Sequence, residues 1–441
     1  MYTHFAVTRQ NISPKNVLLM LNNFSISSWN VQGLGSKYRD EDFLSNLKYD
    51  INILLETWKG ADPDFCIPNF SIFQKSRKKK KCSKRYSGGI IVLYKSEHKS
   101  GISEITNITT SENTLWFKLD ARYFGFKNDL YVCACYTPPT NSLYNNDDFT
   151  YLENEISSLN GKGNILIIGD LNARVGDKSD FIENESGPAD SLLNLLPDNY
   201  NEDKYLHRNC IDKVCNTQGQ GLLNICVASQ LHILNGHFMG DFLGNFTCHK
   251  SYGASTVDCA LTDLDLIKSI NYFEVNNATY LSDHSQISVH LYCNIDDESI
   301  HKSKHFKEIQ YTYKWTTTSK DKLFNVLSER ETIYEIVPFE NFKFENTSDD
   351  VDSADEKVSN IFEKMAKRSC KIVKTSRNKG IKRKNPWSDG EIKDLKKTVI
   401  DLGKRMKQQP YNLQIKNIFH KHCKNLKNLM KRKNIYIKIN S

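Results

Sequence analysis

The chain has 441 residues, 39% of them hydrophobic and 25% charged, enough for two or three domains of ordinary size and a substantial buried core. Its longest N-terminal apolar run, Val17 to Leu21, is shorter than a signal-peptide core, and no run approaches the ~18 apolar residues of a membrane span, so neither a secreted nor a membrane-spanning protein is expected. The net charge of +8 conceals an asymmetry: residues 367–441 hold 23 Lys and Arg against four Asp and Glu, a charge of +19, and the rest of the chain carries −11.

Residues 1–23 read as an N-terminal extension, and the next 270, residues 24–293, alternate short apolar runs with amphipathic or polar stretches. The strand candidates are ISSWNV from Ile26, INILLE from Ile51, GGIIVLY from Gly88, TLWFKLD from Thr114, LYVCACYT from Leu130, NILIIGD from Asn164, STVDCAL from Ser255 and SQISVHLY from Ser285. Runs of this length, rich in β-branched and aromatic residues and separated by helical patterns, predict one large α/β or α+β domain. Helices are expected at residues 40–47, 148–159 and 219–230.

Two inserts interrupt the pattern, and both are expected as surface loops. Gln74 to Arg85 packs eight Lys or Arg into twelve residues, and Asp177 to Tyr205 is acidic and polar. Residues 294–366 form a linker that turns acidic from Glu331 to Glu356. Residues 367–441 then form a basic tail with amphipathic helices from Glu391 to Met406 and from Asn412 to Lys433, punctuated by Pro386 and Pro410. Such a tail is the electrostatic footprint of a polyanion binder or, equally, a solvated linker. The 12 cysteines form no CxxC pair and sit mostly in apolar runs, as buried free thiols do. Neither disulfides nor structural zinc is expected, because Cys210, Cys215 and His207 lack the second half of a four-ligand set.

The chemistry lies at the strand ends. Asn30 closes SSWN, Glu56 closes NILLE, Tyr136 closes VCACY, Asp170 and Asn172 follow ILIIG, Asp258 lies within STVD, and Asp283 with His284 follows TYLS. Strand ends on one edge of a sheet converge, so these groups can share a pocket, although each alone reads first as a turn residue bonding its own backbone. Glu56 and Asn30 offer hard oxygen ligands of the kind magnesium takes. Asp170 and Asn172 place a base beside an amide, and His284, held in one tautomer by Asp258, can donate to a phosphoryl oxygen. A metal, a water-activating base, a His and a Tyr together suit phosphodiester hydrolysis.

WNVQGL, LLETW, CYTPP, GDLNARVG, SxxD at Ser255 to Asp258 and SDH at Ser282 to His284 stand in the order and approximate spacing of the endonuclease/exonuclease/phosphatase superfamily, which the chain resembles over residues 24–293. RNCIDKVCNTQGQGLLNIC from Arg208, ILNGHFMGDFLGNFTC from Ile233 and NPWSDGEIKDLKK from Asn385 are most similar to the apurinic-type endonuclease region of non-LTR (LINE-type) retrotransposons. The resemblance implies a four-layer sandwich of two packed mixed β-sheets flanked by helices, here followed by the basic helical tail. It implies Mg²⁺- or Mn²⁺-dependent nicking of one strand of double-stranded DNA to leave a 3′-hydroxyl. It assigns Glu56, Asn30 and Asp283 to the metal, Asp170 to the attacking water, Asn172 and Tyr136 to the scissile phosphate, and His284 with its orienter Asp258 to the pentacovalent phosphorus. Thr247 and Ser282 match further polar positions near the substrate.

The chain departs from that pattern at NGH, ending at His237, where NGR is usual, and at Cys259, where an aromatic follows SxxD. No FxDD-type polymerase carboxylate pair occurs, so the chain is expected to be a truncated element, a gene-model fragment or a host-adopted nuclease. Lys78, Lys79 and Arg85 of the basic insert are expected to clamp the duplex backbone or to serve nuclear import, and Trp387 either stacks on a base or anchors a linker. A nuclear location, with a cytoplasmic pool also allowed, and RNA as a second partner of the tail follow from the same charge. Removing residues 367–441 is expected to weaken DNA binding while cleavage at low salt persists. Two rival readings stay open: a phosphatase or phosphodiesterase acting on a small or lipid phosphoester, and a non-catalytic nucleic-acid-binding remnant.

Overall fold

A computed structural model of the chain describes residues 22–60, 65–77, 79, 86–108, 111–142, 144, 148–181, 208–295, 310–340, 348–375 and 389–440. Of the residues singled out from sequence, Lys78, Arg85, His207 and Trp387 lie outside the described residues. In chain order the elements begin with β1 (Asn22–Asn30), α1 (Glu41–Asn46), β2 (Ile51–Leu55), β3 (Phe70–Lys75), β4 (Ile90–Lys95), β5 (Ile102–Ile105) and β6 (Thr114–Leu119). There follow α2 (Ala121–Phe124), β7 (Leu130–Tyr136), α3 (Asp148–Ser158), β8 (Asn164–Asp170), α4 (Thr217–Ser229) and β9 (Leu231–Ile233). Next come β10 (Cys248–Lys250), β11 (Gly253–Ser255), β12 (Asp258–Asp263), α5 (Leu264–Ile267), β13 (Ile270–Val275) and β14 (Ile287–Cys293). Beyond these lie β15 (Gln310–Lys314), α6 (Ser319–Ser328), α7 (Arg330–Glu340), α8 (Ser348–Ser369), β16 (Lys371–Thr375), α9 (Gly390–Gln408) and α10 (Leu413–Asn440).

The chain divides into two compact units, residues 1–300 with 384–441, and residues 301–383. In the larger unit β13-β14-β1-β2-β4-β3 form one six-stranded sheet and β5-β6-β7-β8-β12-β9 the other. Each is mixed, with one parallel pair, β1 with β2 and β7 with β8, among antiparallel neighbours. Successive side chains of a strand point to opposite faces, which sorts the apolar residues into three cores. Ile26, Ile53, Val92 and Val289 of the first sheet meet Phe117, Val132 and Ile168 of the second. Cys133, Ile167 and Leu261, on the other face of the second sheet, pack with Leu152 and Ile156 of α3 and Leu222 and Cys226 of α4. Trp29, Leu54, Ile91 and Leu93, on the other face of the first sheet, pack with Phe43 of α1 and with Ile392, Val399, Met406, Phe419 and Leu426 of α9 and α10. The result is the four-layer sandwich of two packed mixed sheets between helices.

All eight strands expected from the sequence form, and so do the three expected helices. Strands with weak or broken alternation were missed. β13 carries a register irregularity between Ile270 and Tyr272 that interrupts its period of two. β3 lies at the start of the basic insert, where its Lys and Gln outweigh Phe70, Ile72 and Phe73. That insert is also not wholly the surface loop expected. Lys75 donates to the Thr114 carbonyl at 2.9 Å, and Arg77 is buried, its guanidinium bonded to Asn113 and lying 5.2 Å from the centre of the Tyr136 ring. The expected acidic loop likewise begins on the second sheet, where buried Asp180 accepts from the Ile233 amide at 2.7 Å.

The C-terminal helices carry the largest correction. They form where expected but are built into the sandwich: the apolar stripe of each closes the layer over the first sheet that six-residue α1 covers only in part. Lys396 pairs with Asp42 of α1 at 2.6 Å, Lys407 donates to the Val275 carbonyl at 2.5 Å, and Tyr411 donates to the Ile211 carbonyl at 3.2 Å. Gly403 marks the closest approach, since a Cβ there would lie 2.2 Å from the Ala278 carbonyl oxygen. Among the described residues, the smaller unit holds the antiparallel pair β15–β16 with α6, α7 and α8. No helix among the described residues is long and apolar enough to cross a membrane.

Asp50 fastens the start of β2 to β1 and β4. Its carboxylate accepts from the Ser25 amide at 2.8 Å and hydroxyl at 2.6 Å and from Lys95 at 2.6 Å. Burial alone would raise its pKa, but the hydrogen bonds from His98, Lys95 and Ser25 hold it well below the usual carboxylate range. A depressed folded-state pKa gives stability that is present above the unfolded value near 4 and is lost as pH falls through and below it. Asp50→Asn is therefore expected to cost about 1–3 kcal/mol at pH 7, a gap that begins to narrow below about pH 4 and is only partly lost at pH 3. Urea midpoints of both proteins across that range test it, and a gap independent of pH would sink the assignment.

Candidate active site

The same alternation that sorts the cores aims the site. Asn30 shares a face with Ile26, Tyr136 with Val132 and Ala134, Asp170 with Leu166 and Ile168, and Asp258 with Ala260, so all four look into the space between the sheets at one end of the sandwich. Register completes the convergence: Tyr136 stands opposite Asp170 across the β7–β8 pair, and Asp258 opposite Asp170 across the β12–β8 pair. Gly169 is glycine because a Cβ there would lie 1.8 Å from the Cys135 carbonyl of the neighbouring strand.

Glu56 breaks the alternation. Ile51, Ile53 and Leu55 face the inter-sheet core, so an extended Glu56 would face away from it. Its φ of +50° turns the chain into the left-handed region, which a glutamate rarely adopts, and the Tyr136 hydroxyl donates to its carboxylate. The turn is held by neighbours: the Glu56 carbonyl accepts from the Gly33 amide at 2.7 Å, and the Thr57 amide donates to the Gly89 carbonyl at 3.2 Å. Asn172, at φ +48°, uses the tolerance of asparagine for the same region and donates from Nδ2 to the Thr137 carbonyl at 2.8 Å.

Asn30 and Asp170 tie the two sheets together. Asn30 Nδ2 donates to Asp170 Oδ2 at 2.8 Å, and the Asn172 amide donates to Asp170 Oδ1 at 3.1 Å. His284, just ahead of β14, has its Nδ1 2.8 Å from Asp258 Oδ2, which leaves Nε2 4.0 Å from Asp170 Oδ2. Its main chain is fixed by Trp29 Nε1, which donates to the His284 carbonyl at 2.9 Å, and by the bridge between His284 and Cys248. Burial pushes the Asp170 carboxyl up, and the Asp258 charge adds to it, to about 7. Burial works against a charged His284, but Asp258 and Asp170 outweigh it and raise its pKa well above the ordinary value. Burial and the adjacent Glu56 likewise push the Tyr136 phenol up, so that it stays a proton donor.

Asn30, Gln32, Glu56, Pro139, Asp170, Asn172, Lys250, Asp283 and His284 line one pocket open to solvent. Eight of the expected residues thus meet: Asn30, Glu56, Tyr136, Asp170, Asn172, Asp258, Asp283 and His284. Thr247 and Ser282 stand behind them. Thr247 is fully buried and its hydroxyl accepts from the Val257 and Asp258 amides, both at 3.0 Å, so it sets the position of Asp258 instead of reaching substrate. Buried Ser282 donates to the Asn30 carbonyl at 2.6 Å and accepts from the His284 amide at 3.1 Å. Lys79 is exposed and its ammonium lies 5.6 Å from the centre of the Tyr86 ring. Lys250 and Gln32, which bonds Asp283 at 3.3 Å, went unread in the sequence because neither ends a predicted strand. Arg77 was hidden inside a charge run.

The donors suit a hard divalent cation. Two carboxylates and an amide oxygen from Glu56, Asp283 and Asn30 border the pocket, and Asp283 Oδ1 is buried without a hydrogen-bond partner. Asp170, Asp258 and His284 form a second acidic and histidine cluster, but there the 2.8 Å Asp258–His284 contact already uses the closest pair.

No family model and no curated protein matches the chain. Among solved structures it is similar to the endonuclease domain of TRAS1, a telomere-specific non-LTR retrotransposon, at 15% identity over 61% of this chain and 98% of that one, with a TM-score of 0.40. It is similar to the Xenopus laevis APE2 catalytic domain at 15% identity over 62% and 92% of the two chains, with a TM-score of 0.44. It is similar to the AP endonuclease LMAP from Leishmania major at 11% identity over 66% and 92%, with a TM-score of 0.43.

Proposed function

We propose that this chain is a Mg²⁺- or Mn²⁺-dependent endonuclease that nicks one strand of double-stranded DNA and leaves a 3′-hydroxyl, of the type found in non-LTR retrotransposons. The observation that carries the proposal is the placement of buried Asp170 between the Asn30 amide and the His284–Asp258 pair, in a pocket whose other walls are Glu56, Asp283 and Asn172. Glu56, Asn30 and Asp283 are the residues that would hold the cation. When bound, such an ion neutralises phosphate charge and makes the phosphorus more electrophilic.

The chain's own groups supply the rest. Asp170, fixed by the Asn30 and Asn172 donors, takes a proton from the attacking water. Asn172 keeps one N–H beyond its bond to Thr137 for a phosphate oxygen. His284 presents Nε2–H to the developing charge while Asp258 holds Nδ1. Tyr136 orients Glu56. The +19 segment supports a long polyanion as substrate over a small phosphoester.

Relaxation of a supercoiled plasmid in Mg²⁺, Mn²⁺ or EDTA tests the proposal. Nicked circles are expected with either metal and not with EDTA. Glu56→Gln is expected to raise the metal concentration for half-maximal nicking by about 10- to 100-fold or more. Folded protein that never nicks in either metal would overturn the nuclease reading.

A further inference from the structure

Helix α10 contains no acidic residue, yet it is part of the core layer and not a free tail. Ile415, Phe419, Cys423 and Leu426 form its buried ridge. Beside that ridge, Lys416, His420, Lys424, Lys427 and Lys431 recur at spacings of four, four, three and four residues, which places all five within about 80° of arc on one face. Lys424, Lys427 and Lys431 are exposed, and Lys416 and His420 are half-buried.

This row borders the rim of the pocket. Lys416 lines a crevice with Asn245, Phe246 and His249, and His420 lies against the backbone of Lys250, which itself lines the pocket of Asp283 and His284. The His249 amide donates to the Asp283 carbonyl at 2.7 Å, so β10 joins the row to the site directly. Farther along, Lys427 faces Lys37, whose ammonium donates to the carbonyls of Val31 and Gln32 on the loop that leaves Asn30. Burial and then repulsion from Lys427 lower the Lys37 pKa to about 8, as expected of cations crowded together. Like charges three and four residues apart destabilise a helix, and a partner rich in negative charge relieves that cost.

We propose that this face of α10, from Lys416 to Lys431, is a docking track for the backbone of the DNA duplex that flanks the scissile phosphate. From Lys416 to Lys431 is about 22 Å at 1.5 Å per residue, or roughly six base-pair rises of 3.4 Å. The track rests on the nuclease reading for its connection to the pocket. It gives the C-terminal charge a fixed place beside the chemistry, so that the stretch of duplex held by the helix is the stretch that enters the site.

The test compares two full-length variants of equal charge change. Lys424→Glu/Lys427→Glu/Lys431→Glu removes the track, and Lys393→Glu/Lys397→Glu/Lys404→Glu reverses three exposed lysines on α9. Binding of a 30-base-pair duplex across a salt series and nicking of supercoiled plasmid are measured for each. The track variant is expected to lower the slope of log K against log salt by about 3, at about 0.9 per phosphate contact, and to raise the Kd at least 10-fold, with the rate at saturating DNA and low salt retained. The α9 variant is expected to move the slope by less than about 1. Lys424→Gln/Lys427→Gln/Lys431→Gln repeats the slope measurement without introducing repulsion. Equal effects of the two reversals, or an unchanged slope in both track variants, would overturn the track. A slope lost only in the track variants of a protein that never nicks would sustain the track and sink the nuclease reading.

Discussion

Asp170→Asn is expected to slow plasmid nicking by about 10³-fold while the protein remains folded. The carboxylate is almost fully buried, and its two oxygens accept from Asn30 Nδ2 and from the Asn172 amide, so its orientation is fixed before substrate arrives. Asparagine has the same shape and keeps one acceptor, so the loss to stability is limited to about one hydrogen bond, ~1 kcal/mol. What it cannot do is take a proton from water. The measurement is the initial rate of nicked-circle formation, paired with a urea melt of the same preparation. A rate within tenfold of the wild type would remove Asp170 from the chemistry, and a collapsed melt would recast it as a structural tie between the sheets.

Phe419→Ala is expected to destabilise the larger unit by about 3–5 kcal/mol, the usual cost of emptying a buried phenylalanine site. Phe419 is 3% exposed, on the ridge of α10 that seats against the first sheet, and its ring lies 3.6 Å from where a Cβ on Gly403 would stand. Deleting residues 389–441 is expected to do more, because it bares Trp29, Phe43, Leu54, Ile91 and Tyr280 together. This reverses the reading of the tail as separable: its removal is expected to cost the fold, and with it cleavage, instead of binding alone. Urea unfolding followed by tryptophan fluorescence reads both variants. A deletion variant with the wild-type midpoint would show that the helices are passengers on the sheet.

Much of the site was legible because β-strands are periodic. An apolar run that ends in a polar residue fixes both the position of that residue at the sheet edge and its face, and this brought Asn30, Tyr136 and Asp170 to one end of the sandwich, where Asp258, at the start of β12, stands opposite Asp170. Glu56 was legible as a residue type but not as a direction, since its place in the pocket depends on a φ of +50° maintained by the backbone of Gly33 and Gly89. Thr247 and Ser282 were legible as polar neighbours of the site, and only burial shows that they support Asp258, Asn30 and His284 from behind. Arg77 is the converse, one arginine inside a run of lysines that the fold takes into the core beneath Tyr136.

The sequence by itself determined the strands of clear apolar pattern, the strand-end chemistry and the charge asymmetry, because each depends on residues near in the chain and on periods of two or 3.6. Where the C-terminal charge goes was decided by tertiary structure. An amphipathic helix of net positive charge reads alike whether its apolar stripe faces solvent, a partner or its own protein. The outer face of the first sheet, only partly covered by α1, supplies the apolar surface that settles the matter, and its Trp29, Leu54 and Ile91 stand far earlier in the chain than the helices that cover them.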